Sequence, residues 1–211
     1  MEVDLCFVVD CTGSMASHID ATKECIIAVE EYMGKIEPKI KVRFGFIGYR
    51  DHCDSKRFEC LNFTDSHEEF KDFVAEVVAT GGGDTPEDVL GGLNEAITIM
   101  TWRNEFRVLL HVCDAPPHGL RFNNLADTYP EGDPHGLTAE DVLKNMKSKN
   151  ICYFFGRITS LTNEMVRIFQ SILGEFDVFD LEEVNDKPEQ LTFKFFNAAC
   201  TAITTAISLR E

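Results

Sequence analysis

The chain has 211 residues, 44% of them hydrophobic and 27% charged, with 17 Phe, a composition that supports a substantial core and excludes disorder. Lys and Arg number 20 against 36 Asp and Glu, a formal net charge of −16. Such an excess repels phosphate backbones and anionic headgroups, which argues against general nucleic-acid binding and against attachment to a membrane surface.

The first strand is expected over Leu5 to Val9, a short β-branched run bounded by Asp10 and Gly13 and buried on both faces. Met15, Ile19, Thr22, Ile26, Val29 and Met33 then recur at helical spacing up to Gly34. KVRFGFIGY, 41–49, reads as a second strand, and Phe58 to Phe63 as a third that forms a hairpin with it across the polar turn DHCDSKR. Thr64, Asp65 and Ser66 cap a helix with Phe70, Phe73, Val74 and Val77 on its apolar side, followed by a loop from Thr80 to Thr85 with three consecutive Gly. Pro86 is expected to open the next helix, which runs to about Met100. Val108 to Val112 and Ile151 to Phe155 are the fourth and fifth strands, separated by a long polar loop and a helix over Ala139 to Lys149. Helix, strand and helix follow at Thr162 to Leu173, Phe176 to Asp180 and Pro188 to Leu209, the last with Leu191, Phe195, Ala199, Ile203 and Ile207 on one face.

This alternation predicts an α/β, Rossmann-like, doubly wound fold. Its six-stranded sheet is mainly parallel with one antiparallel edge strand, and helices cover both faces. Ligand sites on such sheets lie outside the carboxyl ends of the strands, here where the first and fourth strands diverge. The loop from Ala115 to Leu137 starts at that edge and is longer than a connection requires, so a functional role is expected for it.

Neither an apolar run of the roughly 20 residues that cross a bilayer nor an export signal is visible, since MEVDLCFVVD has no basic start and no small-residue cleavage site. Most of the eight Cys sit in apolar runs such as CFVV, HVCD and ICYFF, which predicts reduced, mostly buried thiols and a cytoplasmic location; Cys53 and Cys60 flank a turn and are the pair to watch. Residues 1–211 are expected to form one domain, taken from a larger protein because the chain opens directly on strand-like residues.

Three remote segments converge at the sheet edge. The first strand ends in Asp10-Cys11-Thr12-Gly13-Ser14, the Gly-rich loop contributes Asp84-Thr85, and the fourth strand ends in Asp114. Asp10, Thr12, Ser14, Thr85 and Asp114 supply two carboxylates and three hydroxyls, hard oxygen donors suited to Mg²⁺ or Mn²⁺. In an extended segment alternate side chains point the same way, so Asp10, Thr12 and Ser14 can aim at one point. Taken alone, that string also reads as a helix-entry loop with Thr12 or Ser14 as cap.

VVDCTGSM, GGGDTPEDV and HVCDAPPHG together resemble, in order, the von Willebrand factor A-type domain with its metal-ion-dependent adhesion site, and the resemblance covers essentially the whole chain. DLCFVVDCTGSM and GYRDHCD look most like the subset of these domains that accompanies α-type protein kinases. The resemblance implies that Thr12 and Ser14 bind a metal through their hydroxyls, and that Thr85 does so directly or through water. Asp10 and Asp114 would hold the coordinated waters. A cation with so few anionic ligands keeps affinity for an Asp or Glu carboxylate of a partner protein. The expected function is therefore metal-dependent protein binding, without enzymatic activity.

Two other readings compete. In a haloacid-dehalogenase-like phosphatase Asp10 would be the nucleophile, but such enzymes want a second Asp where Thr12 stands, and no lysine counterpart is apparent. A structural domain with a vestigial metal site has the same sequence pattern. No G-x-x-x-x-G-K-[ST] or G-x-G-x-x-G occurs to support nucleotide binding. Among individual residues, Asp84 reads as a helix cap with Glu87 and Asp88, His118 as exposed and idle, and His111 as core. Arg50 is balanced between internal acids and a partner.

Overall fold

The computed structural model describes residues 1–36, 40–182 and 187–208. Its strands are β1 (Glu2–Asp10), β2 (Lys41–Tyr49), β3 (Phe58–Thr64), β4 (Phe106–Cys113), β5 (Ile151–Arg157) and β6 (Val178–Asp180). The helices are α1 (Ala16–Ile36), α2 (His67–Glu76), α3 (Val89–Thr98), α4 (Ala139–Ser148), α5 (Asn163–Leu173) and α6 (Pro188–Ser208). The strand order is β3-β2-β1-β4-β5-β6, parallel throughout except for the antiparallel pairing of β3 with β2. The predicted doubly wound sheet and its single antiparallel edge are both present.

Alternation along β1 explains why the sheet is covered twice. Val3, Leu5, Phe7 and Val9 pack into one apolar layer with Ile19, Ile26 and Val29 of α1, Phe70 and Val74 of α2, and Ala199 and Ile203 of α6. Cys6 and Val8 face the other layer, with Val89, Leu93 and Ile97 of α3, Leu143 and Met146 of α4, and Met165 and Phe169 of α5. A strand buried on both faces reads as a continuous apolar run. The chain leaves β1 toward the first layer and β4 toward the second, so the loops after these adjacent strands part and leave a crevice between them.

Several boundaries differ from the sequence reading. Pro86 does not open a helix; Asp88 caps α3, its side chain accepting the Gly91 N–H, while Glu87 bridges to Pro117 in the loop after β4. A carboxylate cap two residues on overrides the first-turn preference of Pro. Helix α1 passes Gly34 to end at Ile36, and β6 is only three residues long, because Phe176 packs edge-on against Tyr153 before pairing begins. Ser66 caps α2 as expected. The side chains of Met33, Leu191, Phe195 and Ile207, and all of Leu209, lie outside what is described. Of the seven described free cysteines, Cys6, Cys11 and Cys113 are buried, Cys152 and Cys200 half-buried, and Cys53 and Cys60 exposed thiols, so burial is less general than the apolar runs implied.

Candidate metal centre

Asp10 is the last residue of β1 and is fully buried. Its Oδ1 accepts hydrogen bonds from the Thr12 N–H at 2.9 Å and the Thr12 hydroxyl at 2.7 Å, and Thr12 Oγ1 lies 3.2 Å from Ser14 Oγ. Thr12 is extended, at φ −73° and ψ 169°, so the alternation needed to bring these three side chains together is present. Ser14, Thr85 and Asp114 line one cavity, which also includes Gly81, Gly82, Asp84 and Glu87. Asp10 and Thr12 do not line it and connect to it through Ser14.

The Gly-rich loop is drawn onto β1 by its backbone. Gly13 N–H donates to Gly81 O at 3.0 Å, and Thr80 N–H to Cys11 O at 3.0 Å. A Cβ on Gly13 would stand 3.2 Å from Gly81 O, tight enough to push the two segments apart, and Gly82 adopts φ +87°, where side chains are disfavoured. Carboxylates of the β2–β3 turn hold the loop from its other side: Gly82 N–H donates to Asp54 Oδ2 at 2.9 Å and Gly83 N–H to Asp51 Oδ2 at 3.2 Å.

Acidic groups are concentrated around this point, and each leaves one carboxyl oxygen unsatisfied. Asp10 Oδ2, Glu87 Oε2, Asp114 Oδ1 and Asp84 Oδ1 are buried and have no hydrogen-bond partner. Burial, with repulsion from Asp114, pushes the Asp10 carboxyl up to about 7 against the opposing hydrogen bonds of Thr12. Burial also pushes Glu87 up to about 10, helped by the charges of Asp10, Asp51, Asp114 and Asp54. Buried carboxyls that accept too few hydrogen bonds and repel one another are the donor set a divalent cation would satisfy.

Glu87 is the residue that sequence reasoning missed: it was read as a capping acid, whereas its side chain lines the cavity and Asp88 supplies the cap. Nothing local in the sequence singles it out, because the residues that line the cavity with it come from the loop after β1, the Gly-rich loop, the end of β4 and the segment after β5. Asp84 also differs from its reading, since its Oδ2 accepts from both the N–H and the hydroxyl of Thr128 and so anchors the long loop.

His118 is buried and far from idle. Its Nε2 lies 2.9 Å from Asp51 Oδ1 and its Nδ1 2.7 Å from Asp127 Oδ1. Burial pulls its pKa down, but the two carboxylates outweigh burial and the net shift is upward. Asp51 falls to about 2, burial being outweighed by hydrogen bonds from His118, Cys53 and the His52 N–H. Asp51, Asp84 and His118 bring ligand-type atoms within 4.8 Å of one another beside the cavity. Arg50 is turned inward, donating to Glu59 and to the carbonyls of Lys56, Val78 and Thr80.

Residues 4–125 match the family described as the von Willebrand factor A domain. The α-protein kinase vwkA of Dictyostelium discoideum is 39% identical over 199 residues, covering 90% of this chain and 32% of that protein. A putative ariadne-like RING finger protein of Acanthamoeba polyphaga mimivirus is 29% identical over 116 residues, 55% of this chain and 11% of its own length. The chain thus spans a third or less of either relative. Among solved structures, the pilus adhesin SpaC of Lactobacillus rhamnosus GG superposes with a TM-score of 0.65 at 14% identity, over 96% of this chain and 30% of SpaC. Proximal thread matrix protein 1 from the mussel byssus gives 0.59 at 13%, over 94% of this chain and 46% of its own. These structural likenesses concern the fold.

Proposed function

Because the chain belongs to the von Willebrand factor A domain family, whose members serve as protein-interaction modules, we propose that it binds a partner protein through a Mg²⁺ or Mn²⁺ ion. Thr12, Ser14 and Thr85 would offer hydroxyl ligands, and Asp10 and Asp114 would hold metal-bound waters. Glu87 adds a third carboxyl to the five positions read from the sequence. The partner would complete the coordination with an Asp or Glu. The observation that carries this reading is the set of buried, unpartnered oxygens of Asp10, Glu87 and Asp114. An ion would relieve their repulsion while leaving one coordination place for an outside carboxylate.

On this reading residues 1–211 are one binding domain of a larger protein, and the domain performs no catalysis. Phosphatase chemistry is the weaker alternative: Asp10 Oδ1 already accepts two hydrogen bonds from Thr12 and the side chain is fully buried, a poor setting for a nucleophile. A vestigial site is also disfavoured, because three unsatisfied buried carboxyl oxygens are costly to keep without an ion. The free thiols support a reducing, cytoplasmic setting.

Calorimetric titration of the chelator-treated protein with Mg²⁺ and Mn²⁺ tests the centre. Ser14→Ala, Asp114→Ala and Glu87→Gln are each expected to weaken binding by about 10- to 100-fold. Asp10→Asn is expected to raise the melting temperature in chelator, by removing repulsion, and to abolish the rise that Mg²⁺ gives the unaltered protein. A purely structural Asp10 would lower it in both conditions. Partners captured in Mg²⁺ should be released by chelator, and capture that persists in chelator overturns the mechanism.

A further inference from the structure

We propose that His52, Asp88 and Asp133 form a second metal site, of the zinc class, that fastens the long loop after β4 to the β2–β3 turn and the start of α3. None of these residues belongs to the centre formed around Ser14, Thr85 and Asp114, and the inference does not depend on that reading.

The three residues come from three segments. His52 is in the turn between β2 and β3, Asp88 caps α3, and Asp133 lies in the loop that precedes α4. Their side chains are 3%, 0% and 3% exposed, respectively. His52 Nε2 stands 3.5 Å from Asp88 Oδ1 and 3.5 Å from Asp133 Oδ2, and the ligand-type atoms of all three lie within 4.8 Å of one another. At 3.5 Å neither contact is a good hydrogen bond. It is close to the ligand-to-ligand separation of about 3.3–3.5 Å that follows from tetrahedral bonds of about 2.0–2.2 Å to zinc. The space among these groups does not admit a water molecule. A bare cation bonded to all three needs no such void.

The remaining atoms are arranged to hold the carboxylates in place. Asp133 Oδ1 accepts from the N–H groups of His135 at 2.8 Å and Leu137 at 3.1 Å, leaving Oδ2 buried, without a hydrogen-bond partner and facing His52. Asp88 Oδ2 accepts from Arg57 Nε and Oδ1 from the Gly91 N–H, which leaves Oδ1 a lone pair toward His52. The His52 ring is held by packing, with the ring centroids of His118, Tyr129 and His135 each 5.3 Å away, and its Nδ1 has no partner.

The chemistry favours zinc over magnesium. Mg²⁺ requires near-octahedral oxygen ligands and retains waters, for which there is no room, whereas one imidazole nitrogen and two carboxylate oxygens are familiar zinc ligands. Charge also fits: Arg57 pairs with Asp88, and a dication would neutralise the charge that remains on the two carboxylates.

The test uses the chain freed of transition metals and kept in excess Mg²⁺, titrated with Zn²⁺ and, for its visible spectrum, Co²⁺. We expect one equivalent to bind, tetrahedral Co²⁺ bands to appear, the melting temperature to rise and the long loop to become slower to proteolyse. His52→Gln and Asp133→Asn should each weaken binding by about tenfold or more, whereas the double change Cys53→Ser, Cys60→Ser should leave it intact. Asp133→Asn preserves the oxygen that accepts from His135 and Leu137, so it remains a test even if His52→Gln destabilises the fold. Absence of any Zn²⁺ effect on the unaltered chain, or an effect that both variants retain, overturns the proposal.

Discussion

His111 sits mid-sheet between two tyrosines, with one ring nitrogen 2.9 Å from Tyr49 Oη and the other 2.8 Å from Tyr153 Oη. The residue is fully buried, and burial alone lowers its pKa from 6.5 to about 3. Between those values the unfolded chain binds a proton that the native chain refuses, so stability rises with pH through that interval. The contribution of His111 is fully present above pH 6.5 and is lost progressively as the pH falls toward 3. Denaturant unfolding across that range should show this slope. His111→Gln should flatten it, at a cost of about 1–3 kcal/mol near neutrality from imperfectly matched tyrosine hydroxyls. At this scale legibility followed locality. Asp10, Thr12 and Ser14 could be read as a set because their convergence depends on backbone alternation over five residues. Glu87 and His118 were misjudged because what surrounds them is contributed by β1, the β2–β3 turn and the long loop, distant in sequence.

Elements were legible where an apolar period or a side-chain cap is written into a short window, as for β2 or for α2 behind Ser66. Their ends shifted where a tertiary contact intervened, as Pro86 and β6 illustrate. Cross-element ties are the least visible feature. Buried Asp4 of β1 accepts from Arg43 Nε of β2 at 2.9 Å and from the N–H groups of Arg103 and Asn104 at 2.8 and 3.0 Å, while Arg43 Nη2 donates to Thr101 O at 3.1 Å. The group joins two central strands to the connection between α3 and β4, at the end of the sheet away from the candidate centre. Arg43→Ala would leave the Asp4 charge uncompensated in the interior and is expected to cost about 3–5 kcal/mol. Urea unfolding measures this, and because the clamp is remote from Ser14, Mg²⁺ affinity should be unchanged.

For the whole molecule, composition and alternation were sufficient for the class of fold, because a parallel sheet buried on both faces needs apolar strands and intervening amphipathic helices. Strand order as a whole was not contained in those patterns, which do not specify which strand neighbours which; the divergence of the first and fourth strands was expected from the general rule for such sheets. The net charge of −16 acts at this scale too. Self-repulsion opposes the compact state and is screened as the Debye length falls from about 30 Å at 0.01 M to about 3 Å at 1 M salt. The melting temperature in chelator should therefore climb with NaCl, and less steeply once Mg²⁺ is present; a midpoint that stays level or drops with salt would contradict this view.

The inward-facing Arg50 guanidinium holds carbonyls at Val78 and Thr80 on one side and Lys56 and Glu59 of the hairpin on the other. The glycine loop at the crevice therefore cannot shift as an isolated flap: its displacement either drags the outermost strand with it or tears several charge-assisted bonds at once. Mechanical news of an arriving ligand would accordingly travel to the rim of the sheet.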